Sequence, residues 1–168
     1  MIITLTGFMG CGKSSVGRCL SELLCCPFMD LDAVIEESQG RSIPEIFAAE
    51  GEAAFRQMEV EALSRIIEAQ QLRGNVVVAL GGGAVMTPEC AELVRKKTHC
   101  IYLRASVDTL VSHLENEAAG RPMLQGASLR SRIEELMALR SSTYEATAHD
   151  IIDTDGKTVE EVAAEIKF

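Results

Sequence analysis

The chain has 168 residues, of which 47% are hydrophobic and 24% charged, and its formal net charge is -9. This length and composition suit one soluble globular domain with a core of its own, over residues 1–168. The acidic balance excludes a nucleic-acid binder, which needs basic surface against phosphates. No apolar stretch approaches the roughly 20 residues that cross a bilayer, and no basic n-region precedes one. We therefore expect a cytoplasmic protein that binds neither nucleic acid nor membrane.

Strand and helix patterns alternate along the whole chain. Short apolar runs predict buried strands at residues 1–6, 28–30, 75–80, 100–103 and 150–153. Apolar residues at helical spacing, with capping signals, predict helices at residues 14–24, 32–37, from 42 onward, 52–70, 88–97, 107–114, 129–144 and 159–166. Strands separated by helices in this way predict an α/β fold with a doubly wound, five-stranded parallel sheet.

Residues 7–14 read GFMGCGKS, which is the pattern G-x-x-x-x-G-K-S between the first predicted strand and the first predicted helix. In this context the glycines let backbone N–H groups point at phosphate oxygens, and the helix start adds its positive end. Lys13 is expected to reach the β- and γ-phosphates, and the Ser14 hydroxyl to coordinate Mg²⁺. The predicted ATP-contacting residues are Gly10, Cys11, Gly12, Lys13, Ser14 and Ser15.

The six cysteines form no C-x-x-C pair and show no metal-ligand spacing with the histidines. Cys19, Cys25, Cys26 and Cys100 lie in apolar sequence and are predicted to be small core residues of a protein in a reducing cytosol. Cys11 lies inside the phosphate loop. There it is expected to fill space, although an exposed thiol at a helix N-terminus would be sensitive to oxidation.

The segment 115–126, ENEAAGRPMLQG, is polar and stiffened by proline, which is typical of either a surface loop or a lid. The chain is small and lacks the guanine-reading N-K-x-D motif. Together these features favour a phosphate-loop (P-loop) kinase of the nucleoside-monophosphate-kinase type, in which a closing lid keeps water from ATP. Arg121 in this segment is either a cation for the transferring phosphoryl group or an ordinary loop arginine.

Two carboxylates, Asp30 and Asp32, come at the end of the second predicted strand, where ligands bind in open α/β sheets. One of them, Asp30, is expected to support the Mg²⁺ hydration shell through water, and the other to engage an acceptor hydroxyl. Asp32 is also a candidate N-cap of the helix that follows. Capping and function are compatible, because a cap position lies at the same edge of the sheet.

Two arginines lie on apolar helix faces, and one glycine run follows a buried strand. Arg56 falls in a first helical turn, where the helix dipole disfavours a cation, and Arg140 lies on another apolar stripe. Each needs an anion, which is either an internal carboxylate or that of a substrate. The pair favours an anionic acceptor. The backbone of Gly81, Gly82 and Gly83 either approaches a ligand closely, which the lack of side chains allows, or forms a flexible turn.

Taken in order, the segments GFMGCGKS, MDLD, IFAAEGEAAFRQME, LGGGAV, GRPML and LRSSTY make the chain resemble the shikimate kinase family over essentially its whole length. The resemblance implies transfer of the γ-phosphoryl group of ATP to the 3-hydroxyl of shikimate, in aromatic amino-acid biosynthesis. It implies ATP and shikimate as ligands and Mg²⁺ as cofactor, and we expect a monomer.

The resemblance also implies residue roles. Asp32 is the partner of the acceptor hydroxyls and the base, and Arg56 and Arg140 clamp the shikimate carboxylate. Gly82, with its neighbours Gly81 and Gly83, contacts the substrate, and Phe47 and Phe55 line its pocket in a substrate-binding helical region at about 32–62. On the nucleotide side, Arg121 contacts ATP from a lid at 115–126, and Lys157 is a weakly matched adenine contact.

Two alternatives remain open at this point. A gluconate-type sugar-acid kinase also takes a carboxylate acceptor, but the glycine run and the spacing of Asp30 and Asp32 argue against it. A nucleotide-binding regulatory module without catalysis would be expected to have lost Asp32 or Arg121, and both are present.

Overall fold

The computed structural model describes residues 1–115 and 128–167, and its elements alternate as the sequence predicts. They are β1 Ile2–Thr6, α1 Lys13–Leu23, β2 Phe28–Asp30, α2 Leu31–Gln39, α3 Ile43–Glu50, α4 Glu52–Gln70, β3 Val76–Ala79, a 3-10 turn Ala84–Met86, α5 Pro88–Lys97, β4 His99–Arg104, α6 Val107–Leu114, α7 Leu129–Thr147, β5 Asp150–Asp153 and α8 Val159–Glu165.

The strands form one parallel sheet in the order β2-β3-β1-β4-β5. Every residue of β1 and β3 is buried, as apolar runs of parallel strands require. From β1 the chain crosses to β2, toward one edge of the sheet. From β3 it crosses to β4, toward the opposite edge. Because neighbouring strands whose connections diverge leave a crevice at their carboxyl ends, the fold places a ligand site between β1 and β3.

The start of α2 differs from the predicted one. Asp30, and not Asp32, is the N-cap: its backbone is extended, and its Oδ1 accepts a hydrogen bond from the Ala33 N–H at 3.2 Å. Asp32 lies inside the first helical turn, so the prediction that it caps the helix is wrong. The physical reason is that β2 runs directly into α2, which leaves Asp30 as the one residue between strand and helix geometry.

The cysteines separate into buried and accessible groups. Cys11, Cys90 and Cys100 are buried in the core, whereas Cys25 is exposed and has a left-handed φ of 51° just after α1. The prediction of Cys25 as a core residue is therefore wrong, because the residue lies in the exposed turn that follows α1. Cys11 is buried, so the loop carries no exposed thiol at that position.

Within residues 1–115 and 128–167, no helix is both long and apolar enough to cross a bilayer.

Candidate active site

The loop between β1 and α1 has the backbone geometry of a phosphate cradle. Gly10 and Gly12 have φ values of 83° and 97°, a region that side chains disfavour, and Gly12 is the N-cap of α1. A Cβ on Gly10 would also lie 2.7 Å from the Leu114 Cγ atom, so α6 leaves no room for a side chain there. Both glycines are therefore required by the loop conformation.

The two reactive groups of this loop already have partners in the protein. The Lys13 ammonium donates hydrogen bonds to the carbonyl oxygens of Gly7 at 2.7 Å and Phe8 at 3.1 Å. The Ser14 hydroxyl donates to Asp30 Oδ2 at 2.9 Å. A hydroxyl and a carboxylate from neighbouring elements are hard oxygen donors of the kind that Mg²⁺ prefers, so this pair fits a magnesium site.

His113, which the sequence analysis did not identify, contacts the phosphate loop from α6. Its Nδ1 lies 2.6 Å from the Gly10 carbonyl oxygen. Because a carbonyl oxygen only accepts, Nδ1 carries the proton and donates it. A lone histidine 103 residues away from the loop in sequence gives no local signal of this contact.

A cavity of about 670 Å³ opens beside the phosphate loop at the carboxyl ends of β1 and β3. Its lining includes Lys13, Ser14, Asp30, Asp32, Gly82 and His113. Ser15 also lines it, together with Gly10 and Gly12. The fold thus brings the predicted nucleotide residues of the loop and the predicted acceptor aspartate to one cavity, except that Cys11 is buried in the core and does not line it.

Lys157 lies elsewhere. Its ammonium pairs with Glu165 Oε2 at 2.8 Å, and it lines a separate cavity beside β5. The structure therefore does not bring the predicted adenine contact to the phosphate-loop cavity. Val159, at the start of α8, reaches it instead.

We call Asp32, Arg56, Glu59, Arg140 and the glycine run 81–83 the acceptor cluster. A Cβ on Gly81 would lie 2.8 Å from Asp32 Oδ1 and 3.0 Å from Glu59 Oε2, and a Cβ on Gly83 would overlap the Arg56 guanidinium. A Cβ on Gly82 would lie 3.2 Å from the Met9 backbone nitrogen and 3.7 Å from the Arg140 guanidinium. In this arrangement the glycine run leaves the space that the side chains of Asp32, Glu59 and Arg56 occupy, so it is more than a flexible turn.

The two arginines have different environments. Arg56 pairs with Glu59 Oε1 at 2.7 Å and more weakly with Glu52 Oε1 at 3.6 Å. Arg140 is 5% exposed, and its NH1 atom is buried without a hydrogen-bond partner. Among the described residues no carboxylate forms a salt bridge with Arg140. Of the two arginines, therefore, Arg56 alone has the internal carboxylate partner that the sequence offered as one alternative. Since a buried guanidinium nitrogen needs an acceptor, Arg140 has an unmet requirement for an anion or another acceptor.

The two acids of the cluster are also incompletely paired. Asp32 Oδ1 and Glu59 Oε2 are buried and have no hydrogen-bond partner in the described ranges 1–115 and 128–167. Burial raises the pKa of Asp32, and the nearby Asp30 carboxylate adds to this, against Lys13 and Arg56. Burial likewise raises the pKa of Glu59 to about 7, opposed mainly by Arg56. Both acids are therefore better proton acceptors than ordinary carboxylates.

Glu59 is the second residue that the sequence analysis did not identify. It lies three positions after Arg56 on the same helix face and is 0% exposed. An acid on the stripe that also carries an arginine was a usable signal, because charged residues on a buried face occur in pairs.

The two predicted aromatic residues lie side by side, and one of them, Phe55, is close to Arg56. The rings of Phe47 and Phe55 have centroids 5.1 Å apart, and the Arg56 guanidinium carbon lies 5.3 Å from the Phe55 centroid. Arg121 and all of the segment 115–126 except Glu115 lie outside the described residues.

Comparison with known proteins gives a consistent result. The family model for shikimate kinase matches residues 9–167. The chain belongs to the shikimate kinase family. The family that the sequence resembles is thereby confirmed.

Individual relatives agree. A shikimate kinase of Symbiobacterium thermophilum is 40% identical over 167 residues, which cover 99% of this chain and 94% of the relative. That of Geobacter metallireducens is 45% identical over 164 residues, covering 98% and 88%. A solved shikimate kinase from Acinetobacter baumannii, in complex with shikimate, superposes with a TM-score of 0.91 at 33% identity, covering 98% of this chain and 89% of that one.

Proposed function

We propose that this member of the shikimate kinase family transfers the γ-phosphoryl group of ATP to the 3-hydroxyl of shikimate. The observation that carries the proposal is the buried, unpartnered NH1 atom of Arg140 beside Gly82, next to the phosphate-loop cavity. A planar carboxylate is the natural partner for such a guanidinium group. Shikimate supplies a carboxylate on the same small molecule as the hydroxyl to be phosphorylated.

On the nucleotide side, the loop residues Gly10 to Ser15 would bind the ATP phosphates. Lys13 would exchange its two carbonyl partners for phosphate oxygens, where its charge stabilises the transferring group. Mg²⁺ would be held by Ser14 and, through water, by Asp30, and it neutralises phosphate charge when bound. The hydrogen bond between Ser14 and Asp30 holds the hydroxyl oxygen and the carboxylate oxygen next to each other, where both would face the metal ion.

On the acceptor side, Arg56 and Arg140 would hold the carboxylate, with Gly82 and the ring of Phe55 beside them. Asp32 would orient the 3-hydroxyl and accept its proton during transfer. Its raised pKa suits this role, because a more basic carboxylate has a larger driving force for taking the proton. Positioning of hydroxyl and phosphate in one cavity then supplies much of the rate.

We also propose that residues 1–168 act as one domain, with residues 32–62 as the acceptor-binding region, 115–126 as a lid and Arg121 as a contact to ATP. A cytoplasmic monomer fits these assignments. All six cysteines are free, as expected in a reducing compartment.

The test is a coupled assay of ADP release with shikimate, with gluconate and without acceptor. We expect ADP release that depends on shikimate and on Mg²⁺. Release that depends on gluconate would favour the sugar-acid kinase. Nucleotide binding with no turnover on either acceptor would instead indicate a regulatory module.

A further inference from the structure

Glu59 has an environment that is unusual for an acid. Its side chain is completely buried, its Oε1 atom accepts from Arg56 at 2.7 Å, and its Oε2 atom has no partner among the residues that the structure describes. That second oxygen lies within 3.0 Å of the point that a Cβ on Gly81 would occupy. Glu59 therefore presents a lone, unsatisfied carboxylate oxygen to the wall of the acceptor site.

The charged and titratable groups around Glu59 come from four helices. Asp32 faces it from α2, Arg56 from α4 and Arg140 from α7, while the Cys90 thiol of α5 also interacts with it. Glu52 pairs with the outer side of Arg56 at 3.6 Å. With Asp32 and Glu59 ionised, the two acids of the acceptor cluster balance its two arginines. A bound carboxylate would add a third negative charge to this balanced set.

We propose that Glu59 is a positioning residue that takes up one proton from solvent when the carboxylate of the acceptor binds to Arg56 and Arg140. The inference rests on the proposed function. The incoming carboxylate competes with Glu59 for Arg56 and removes water from the site, and both effects disfavour an ionised Glu59. The proton goes to the free Oε2 atom, Oε1 continues to accept from Arg56, and the cluster remains neutral.

Burial already places the pKa of Glu59 near 7, so small changes in its surroundings change its protonation at neutral pH. At about pH 6, where Glu59 is mostly protonated already, shikimate binding should be accompanied by the uptake of only a small fraction of a proton per site. At about pH 8 the uptake should be close to one proton per site. Over the range between the free and bound pKa values, shikimate affinity should fall by up to about tenfold per pH unit.

The experiment is titration calorimetry of the wild-type protein with shikimate at about pH 8, in two buffers of different ionisation enthalpy. The difference in heat reports the protons exchanged per site. We expect an uptake close to one proton, and an analogue with a carboxamide in place of the carboxylate should bind with none. Shikimate binding without proton exchange would overturn the inference.

Two variants identify the residue. Glu59→Gln imitates the protonated side chain, so it should abolish the uptake and make shikimate affinity independent of pH. Glu52→Gln removes the exposed partner of Arg56 and should leave the uptake unchanged. An unchanged uptake in Glu59→Gln would show that another group titrates. A merely structural Glu59 would weaken binding equally at every pH when replaced.

Two further readings separate the remaining cases. If Glu59→Gln does not fold, infrared difference spectra of wild-type protein with carbon-labelled glutamate should show a protonated glutamate carboxyl on shikimate binding, and its absence would contradict the proposal. If shikimate neither binds nor stimulates ADP release, the proposed function fails and this inference with it. Binding and turnover without proton uptake defeat the inference alone.

Discussion

The phosphate loop and the acceptor cluster share one edge of the sheet but differ in how their charges are satisfied. In the loop, Lys13 is bound by two carbonyl oxygens and Ser14 by Asp30. In the acceptor cluster, Asp32, Glu59 and Arg140 each keep a buried polar atom that has no partner in the described part of the chain. The loop is therefore complete without a ligand, whereas the cluster has polar requirements that a ligand would meet. Unpaired buried groups reduce stability, so ligand binding and folding stability should be coupled most strongly in the cluster.

The largest expected effect is in the loop. Lys13→Ala should lower turnover by about 10³-fold or more, because the ammonium group stabilises charge on the transferring phosphoryl group. The thermal midpoint should change little, since the hydrogen bonds of Lys13 to described residues all stay within its own loop. Steady-state kinetics and thermal unfolding measure both. Lys96→Ala, at an exposed ion pair, is the control, and near-normal turnover in Lys13→Ala would contradict the loop assignment.

The second expected effect separates the two aspartates where loop and cluster meet. Asp32→Asn should lower turnover by about 10²–10⁴-fold, because it removes the base, while the thermal midpoint is not lowered. Asp30→Asn is the matched variant: asparagine caps α2 about as well, so stability should persist while the Mg²⁺ dependence changes. Turnover measured over a range of Mg²⁺ concentrations distinguishes the two variants. At least a third of normal activity in Asp32→Asn would exclude it as the base.

The third expected effect compares the arginines of the cluster. Arg140→Ala and Arg56→Ala should each weaken shikimate binding by about 10²-fold or more and ATP binding far less. The two substitutions should differ in their effect on the thermal midpoint. Removing Arg56 leaves Glu59 buried without its hydrogen-bonded cation and should lower the midpoint strongly, whereas removing Arg140, whose NH1 atom has no partner among the described residues, should lower it less.

Calorimetric binding and thermal unfolding measure the two properties separately. If a shikimate analogue without the carboxylate loses as much affinity in the variants as shikimate does, both arginines are structural.

The smallest expected effect is a pH dependence of stability that originates in Glu59. Folding raises the pKa of Glu59 from 4.5 to about 7, so the folded state binds the proton on Glu59 more tightly than the unfolded state does. The stabilisation is complete below about pH 4.5 and is lost as pH rises through about 7. Between about pH 5 and pH 8 the wild-type thermal midpoint should fall by on the order of 5 °C. Glu59→Gln should remove most of this decrease, and Glu52→Gln none of it.

Most of the fold and the nucleotide half of the site follow from the sequence because their determinants are local. The loop motif lies in eight consecutive residues, so its glycines and Lys13 are neighbours before any tertiary contact forms. Strand and helix positions follow from apolar periodicity and caps, except that Asp30 caps α2 and that α7 continues to Thr147, beyond its predicted end at residue 144. The arginines on apolar faces were detectable because a cation on such a stripe needs an anion.

The sequence by itself determined the order of strands and helices, the phosphate loop and the residues on which an acceptor site is proposed. The tertiary structure alone decided the contacts between separate segments: Glu59 and Asp32 beside Gly81, Lys157 with Glu165, His113 with Gly10, and Arg140 with no carboxylate among the described residues. Burial and pairing depend on which helices meet across the sheet, and contacts between distant segments leave no periodic trace in sequence. The raised pKa of Glu59 arises from that packing, because removal from water disfavours its charge and only tertiary contacts remove it.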